Sequence, residues 1–442
     1  MTTVSFRPAR STTFRNWAGN QVCLPAERLT PGSVEEVSAV VERAAAQGHR
    51  VKVVGAGHSF TAAACTDGFL LGLDRLDAVE SVDRATGRVV VGAGIRLKDL
   101  NKRLDEVGLA LPNLGDIAYQ SIAGAIATAT HGTGARLGNL ATTVVGMELI
   151  DGLGRRIWCD EDERPDLLRV ARVGVGALGI VTKVALRCVP AFDLHAVETI
   201  EVLDEVLDGF HDHAEANDHF ELFWMPGARR CLVKRNNRTT EPRRPQPRRA
   251  YLRDKILSEN VAFGVVTRVG ARHPTVAPRI ARLLDPGVQG RDLIDASHRI
   301  FASPRWVRFT EMEYGIPREA LPEAMRRVRD LVQGMAEPVF FPIEVRVSAA
   351  DDIPLSTAHG RDTAWIAAHV HKGGSYETYF QGVEAIMDDY DGRPHWGKLH
   401  FQSHRTLAPR YPAWDDAMKV RLELDPDGRF ANPYTDRVLG PV

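Results

Sequence analysis

The stretch Val51 to Cys65, VKVVGAGHSFTAAAC, constrains this chain more than any other. Val51, Val53 and Val54 around Lys52 read as a short strand that runs into Gly55 and Gly57, where the backbone can turn tightly. A strand feeding such a turn brings bare N–H groups to the end of a sheet, which suits a phosphate. His58 follows at once, so one loop can hold an anionic tail and offer an imidazole to the reactive end of the same molecule. The spacing is not that of a nicotinamide dinucleotide fingerprint. Phe60 stands where a third glycine should open a helix, although Asp74 lies at a workable distance for a ribose contact. A phosphate loop of another architecture fits better, and glycine clusters at 92–94, 132–134 and 174–179 can line one elongated cofactor.

The flanking segments alternate strand and helix, as in an α/β unit. Ser33 caps a predicted helix with Glu36 as its capping-box partner; Val37, Val40, Val41 and Ala44 form the apolar stripe, and Gly48 ends it. Phe69 to Leu73 and Val89 to Val91 read as strands, and Leu97 to Val107 as an amphipathic helix. Ser121 to Val144 is dense in Gly, Ala and Thr, which lets backbones approach each other or a ligand. Strands Val144 to Ile150 and Arg155 to Trp158 flank an Asp151-Gly152 hairpin turn, and a further strand ends at Pro190.

Beyond Pro190 the segments lengthen and become aromatic. His219 to Pro226, Arg308 to Pro317 and Val339 to Ala350 predict a second, largely antiparallel sheet, with helices over 318–334 and 376–389 packed on it. Residues 235–249, RNNRTTEPRRPQPRR, read as a solvated loop, with a docking patch for an electron acceptor as the alternative.

A chain of 442 residues with 44% hydrophobic content can build two or three cored domains. Its 56 basic and 57 acidic residues nearly cancel, leaving no net field for nucleic acid. Cys23, Cys65, Cys159, Cys188 and Cys231 are odd in number and lack CxxC spacing, so they read as reduced thiols and not as a disulfide framework or zinc site. No run of about 18 apolar residues occurs and the first residues lack a signal-length apolar core, which points to the cytoplasm with no transmembrane segment.

Three groups downstream carry candidate chemistry. Glu344 and Arg346 lie two apart on a predicted strand and share a face, where a carboxylate and a guanidinium can grip adjacent hydroxyls. A cross-strand ion pair on a solvated face is the structural alternative. His369 and His371 share a face in the same way, without a third residue spaced to complete a metal site. Lys398 is one of only nine lysines, and a fixed ammonium there could steady negative charge.

Four motifs in order, VVGAGHSFTAAACTDGFLLGLDRL, ATATHGTGARLGNL, EVR at 344–346 and PHWGKLHF at 394–401, resemble the aldonolactone oxidase branch of the vanillyl-alcohol oxidase flavoprotein family, in particular its actinobacterial gulonolactone-oxidising members, over nearly the whole chain. The resemblance implies an α+β, two-domain fold: a PCMH-type FAD-binding domain over 1–190, then a substrate domain of antiparallel sheet plus helices over 191–442, whose segment from about 394 returns to the flavin. It implies FAD, tethered by its 8α-methyl to His58, with no cysteine matching the second tether of some relatives. Gly55, Ala56, Gly57 and Ser59 would meet the pyrophosphate. Ser121, Gly124, Thr128, His131, Gly132, Thr133 and Gly134 would line the dinucleotide, and Ile180 the adenine. Gly115 would border the ring, where its missing side chain leans toward an oxidase.

The implied reaction is oxidation of an L-gulono-, L-galactono- or D-arabinono-1,4-lactone at its C2 hydroxyl by hydride transfer to flavin N5. Glu344 and Arg346 would position substrate and assist proton removal, Lys398 would balance charge on the reduced ring, and His369 would face the pocket. The gulono- or galactono-lactone product would enolise to ascorbate, and electrons would pass to oxygen or to a redox protein or dye. His371 stands where alditol-specific relatives carry a threonine. An alditol or sugar oxidase producing hydrogen peroxide is the runner-up, and a flavin-free scaffold protein the reading outside enzymes.

Overall fold

The computed structural model describes residues 13–247, 290–302 and 307–442. Strand Val51–Val54 lies parallel to Phe69–Gly72, which lies parallel to Glu27–Leu29, in a three-stranded sheet. Helix Val34–Ala46 crosses between them. Ser33 caps it by accepting the Glu36 N–H, while the Glu36 carboxylate accepts from Gly32 N at 2.7 Å instead of closing the expected box on Ser33. Val37, Val40, Val41 and Ala44 are wholly buried against Val51, Phe69 and Leu71, each valine contributing roughly 1.5–3 kcal/mol relative to exposure.

Parallel pairing stops there. The next sheet has five strands in the order Arg156–Asp160, Val144–Ile150, Ile180–Arg187, Arg88–Gly92 and Val79–Asp83, every pair antiparallel. The expected hairpin forms across residues 151–155, where the Asp151 carboxylate accepts the N–H groups of Leu153 and Arg155.

The largest sheet has eight strands, with Arg230–Thr239, His219–Trp224, Ile343–Ser348, Thr363–His371 and Phe309–Pro317 consecutive in its interior. One expectation fails at this point. Residues 235–239, read as the start of a solvated loop, complete a ten-residue strand paired along its whole length with Asp193–Val202. The charges that suggested solvent are held in ion pairs, Arg235 on Glu201 among them; residues 248–249 of that stretch lie outside the described residues.

Strand parity gives this sheet two chemically different faces. Leu222 and Trp224, Ile343, Val345 and Val347, Ala364, Ile366 and Ala368, and Met312, Tyr314 and Ile316 pack under helices Leu321–Gly334 and Glu377–Asp388. The alternate residues Glu221, Glu344, Arg346, His369, Glu311 and Glu313 emerge on the other face and meet the first lobe. The chain later returns to that lobe. Val51 N donates to Arg429 O at 2.8 Å, and Lys52 Nζ donates to Gly176 O at 2.9 Å and Phe430 O at 3.0 Å. Among the described residues no helix is long and apolar enough to cross a membrane.

Candidate active site

A cavity opens where the polar face of the large sheet meets residues 115–120 and 130–131 of the first lobe. Glu344, Arg346, His369 and Lys398 all line it, so the structure brings the four expected catalytic residues together. His371, at the end of the same strand as His369, does not reach it. Arg346 is ion-paired with Glu344, donates from Nε to Glu221 Oε2 at 3.0 Å, and places Nη2 3.7 Å from Asp116. Burial opposes its charge, but Glu344, Glu221 and Asp116 hold the guanidinium protonated well above its usual range.

Lys398 forms an ion pair with Glu311, and His369 Nε2 lies 3.5 Å from the same carboxylate while its Nδ1 donates to Pro342 O at 2.9 Å. Burial again opposes the lysine's charge; Glu311 and then Glu313 outweigh it and raise its pKa. The Glu311 carboxyl is correspondingly held down, against burial, by Lys398 and His369. Behind it, Glu313 lies 3.2 Å from His131 Nε2, and the His131 ring stacks on Trp365 at 3.7 Å.

Glu221, Glu311, Glu313 and His395 are charged or titratable neighbours of this cavity that the sequence reading did not single out. Glu311 and Glu313 carried the same signal as Glu344 and Arg346, charged residues two apart in a strand. The ligand atoms of His131, Glu313 and His395 lie within 4.8 Å of one another, as a metal site would require. In the structure His131 directs one ring nitrogen to Gly132 O at 2.8 Å and the other to Glu313, and His395 Nδ1 accepts Gly397 N–H at 3.0 Å.

A groove runs through the first lobe between Gly55, Ser121, Gly124 and Ile180, joined by Gly94, Gly176 and Phe430. Gly55, Ala56 and Gly57 also line an adjoining polar recess with Arg28 and Asp74. These contacts fit a dinucleotide. A Cβ on Gly55 would stand 2.2 Å from Ser121 Oγ, so glycine is what lets the loop approach the N-terminus of helix Ile122–Ala127, which Ser121 caps. His58 beyond the loop is packed 5.5 Å from the Trp17 ring, and burial, then Lys398 and Arg96, push its pKa down to about 4, leaving a neutral imidazole at pH 7. Gly115 lines the cavity itself, with room at its Cα face limited by His131 O at 3.2 Å. Ser59 is tied to the first residues of the same lobe, its carbonyl accepting from Asn16 Nδ2 at 2.9 Å.

The other small residues lie elsewhere. Thr128 ends its helix with Oγ1 donating to Gly124 O at 3.3 Å. Gly132 is pressed against Asn113 and Leu114, at 2.3 Å from a built Cβ. Thr133 and Gly134 form the seam between lobes: Thr133 Oγ1 donates to Phe220 O and accepts Val347 N–H, and Gly134 N donates to Val347 O at 2.9 Å.

Two family models match the chain: residues 25–160 match the FAD binding domain family, and residues 184–438 match the D-arabinono-1,4-lactone oxidase family. Cholesterol oxidase from B. sterolicum superposes with a TM-score of 0.84 at 16% identity, over 100% of this chain and 99% of that one. The fold is therefore the two-domain PCMH-type fold of FAD-binding oxidoreductases. The chain is 46% identical over 426 residues to L-gulono-1,4-lactone dehydrogenase of Mycobacterium tuberculosis, spanning 96% of this chain and 99% of the relative. It is 33% identical to L-gulonolactone oxidase of Bos taurus, over 96% and 98%, and 34% identical to alditol oxidase of a Streptomyces species, over 97% and 99%. It belongs to the D-arabinono-1,4-lactone oxidase family.

Proposed function

We propose that this enzyme uses FAD to oxidise a sugar-derived 1,4-lactone, L-gulono-, L-galactono- or D-arabinono-, at its C2 hydroxyl. The supporting observation is a cavity between the lobes in which two cations, the buried Arg346 and the half-buried Lys398, are each neutralised by a glutamate, Glu344 and Glu311. Such a site is polar enough to orient a neutral hydroxylated ring and dry enough for its charges to act strongly. FAD, held by the 55–59 loop and the groove at Ser121, Gly124 and Ile180, supplies the two-electron acceptor. Glu344 accepts the hydroxyl proton, Arg346 aligns adjacent oxygens, and Lys398 offsets the negative charge that reduction brings into the cavity. His369, oriented by the Pro342 carbonyl, completes the wall.

The C2-keto product of a gulono- or galactono-lactone would enolise to ascorbate, and on that reading we place the chain in ascorbate formation, in the cytoplasm. Anaerobic bleaching of the flavin by a panel of lactones and polyols tests the substrate; fast bleaching by xylitol or sorbitol with none by lactones would establish the alditol reading. Gly115 leads us to assign oxygen as acceptor, to be checked by comparing oxygen-electrode traces with dye reduction. We place the domain boundary near Pro190.

We further assign His58 as a covalent anchor. Its neutral ring keeps a lone pair at pH 7, the form a nucleophile needs. Flavin fluorescence should travel with the denatured chain on an acid-treated gel and vanish from it in His58→Ala; a fluorescent His58→Ala band would disprove the tether.

A further inference from the structure

Residues 14–23 form a strap over the His58 loop. Phe14–Arg15 pairs antiparallel with Val22–Cys23, and the turn between them is fastened to the loop beneath. Trp17 N donates to Gly57 O at 2.8 Å, Asn16 Nδ2 to Ser59 O at 2.9 Å, and Asn20 Nδ2 to Phe60 O at 2.9 Å. At the far end of the same loop stands Cys65. Thr66 N donates to Cys23 Sγ at 3.4 Å, which brings the Cys23 sulfur against the 65–66 backbone, and both cysteines pack against the same Phe14, Val54 and Leu70 cluster. Both are partly exposed, whereas Cys159, Cys188 and Cys231 are buried.

We propose that Cys23 and Cys65 are a peroxide-responsive dithiol whose disulfide locks the strap onto the His58 loop. Two thiols lose two electrons and two protons to hydrogen peroxide: the first sulfur takes one oxygen as a sulfenic acid, releasing water, and the second displaces that oxygen as water while the S–S bond forms. With the Cys23 sulfur already against the backbone of residue 66, closing to the roughly 2.05 Å of a disulfide is a movement of the strap's end, beside the partly exposed loop 62–65. Burial, then the neighbouring Cys23, push the Cys65 thiol up to about 12, so the pair stays reduced until an oxidant reaches it. The inference rests on the thiol geometry alone and is independent of which substrate the cavity takes.

Trypsin separates the pair cleanly, leaving Cys23 in peptide 16–28 and Cys65 in peptide 53–75. The full-length flavoprotein, treated with hydrogen peroxide and quenched with N-ethylmaleimide, should lose about 2 Da and two alkylatable thiols, yield the crosslinked peptide pair, and recover both thiols in dithiothreitol. Hydrogen exchange at Trp17, whose amide binds Gly57, should slow in the oxidised form. Cys23→Ser should keep Cys65 reduced; if that variant does not fold, the wild-type peptide map decides alone. Oxygen adducts on separate cysteines, unchanged thiols, or a crosslink that leaves Trp17 exchange unaltered would each overturn the proposal.

Discussion

Glu311 shows how far single residues were legible. The EVR triplet stood out because a known motif surrounds it, whereas the identical spacing in Glu311 and Glu313 reads as the solvated side of an amphipathic strand. Only the first lobe, laid over that face, turns it into an interior. The carboxylate then becomes the shared partner of Lys398 and His369. Glu311→Gln keeps the shape and removes the charge, so the pKa of Lys398, raised by Glu311 ahead of Glu313, falls. The alkaline limb of the kcat/KM profile should move to lower pH, with the rate at its optimum down by about 10² to 10⁴. A pH-rate series on wild type and variant checks this, and an unshifted limb would show that Lys398 does not depend on Glu311.

At the scale of elements, alternation carried most of the reading. His219–Trp224, Phe309–Pro317 and Ile343–Ser348 were recoverable because one face is strictly apolar and packs under helices. Arg230–Thr239 was partly lost because its second half carries arginines and asparagines beside a proline-rich segment, and its pairing with Asp193–Val202 is not local information. The resemblance implies that the turn at 131–134 lines the dinucleotide. Thr133 and Gly134 also hold the contact with the large sheet, where smallness is needed just as strictly. Gly134 has φ +146°, and a Cβ there would stand 2.6 Å from Asp218 O. Gly134→Ala should therefore destabilise the protein by about 1–3 kcal/mol, seen as a lower urea midpoint, with less effect on flavin spectra than on stability.

The whole molecule inherits a pH dependence from its buried imidazoles. His400 is enclosed beside Tyr434, and burial, then Arg437, push its pKa from 6.5 down to about 3. A base with a depressed folded pKa is protonated first in the unfolded chain, so its contribution is present above pH 6.5 and drains away as pH falls toward 3. This one group should remove about 2 kcal/mol between pH 7 and pH 5. Urea midpoints at the two pH values should differ less in His400→Phe than in wild type. A second whole-molecule expectation concerns the returning segment. A chain stopped before Asp425 lacks Phe430 from the groove and the carbonyl that receives Lys52, and should purify with a flavin-to-protein absorbance ratio well below that of the intact chain. That return also sets a timetable for synthesis. Ile180 and Gly55 leave the ribosome early, yet the wall they share with Phe430 is complete only some 250 residues later, a delay of roughly 10 to 50 s at ordinary elongation rates. A complete groove for FAD accordingly waits for residue 430 to emerge, and the nascent first lobe spends that interval with an open, apolar groove within reach of chaperones.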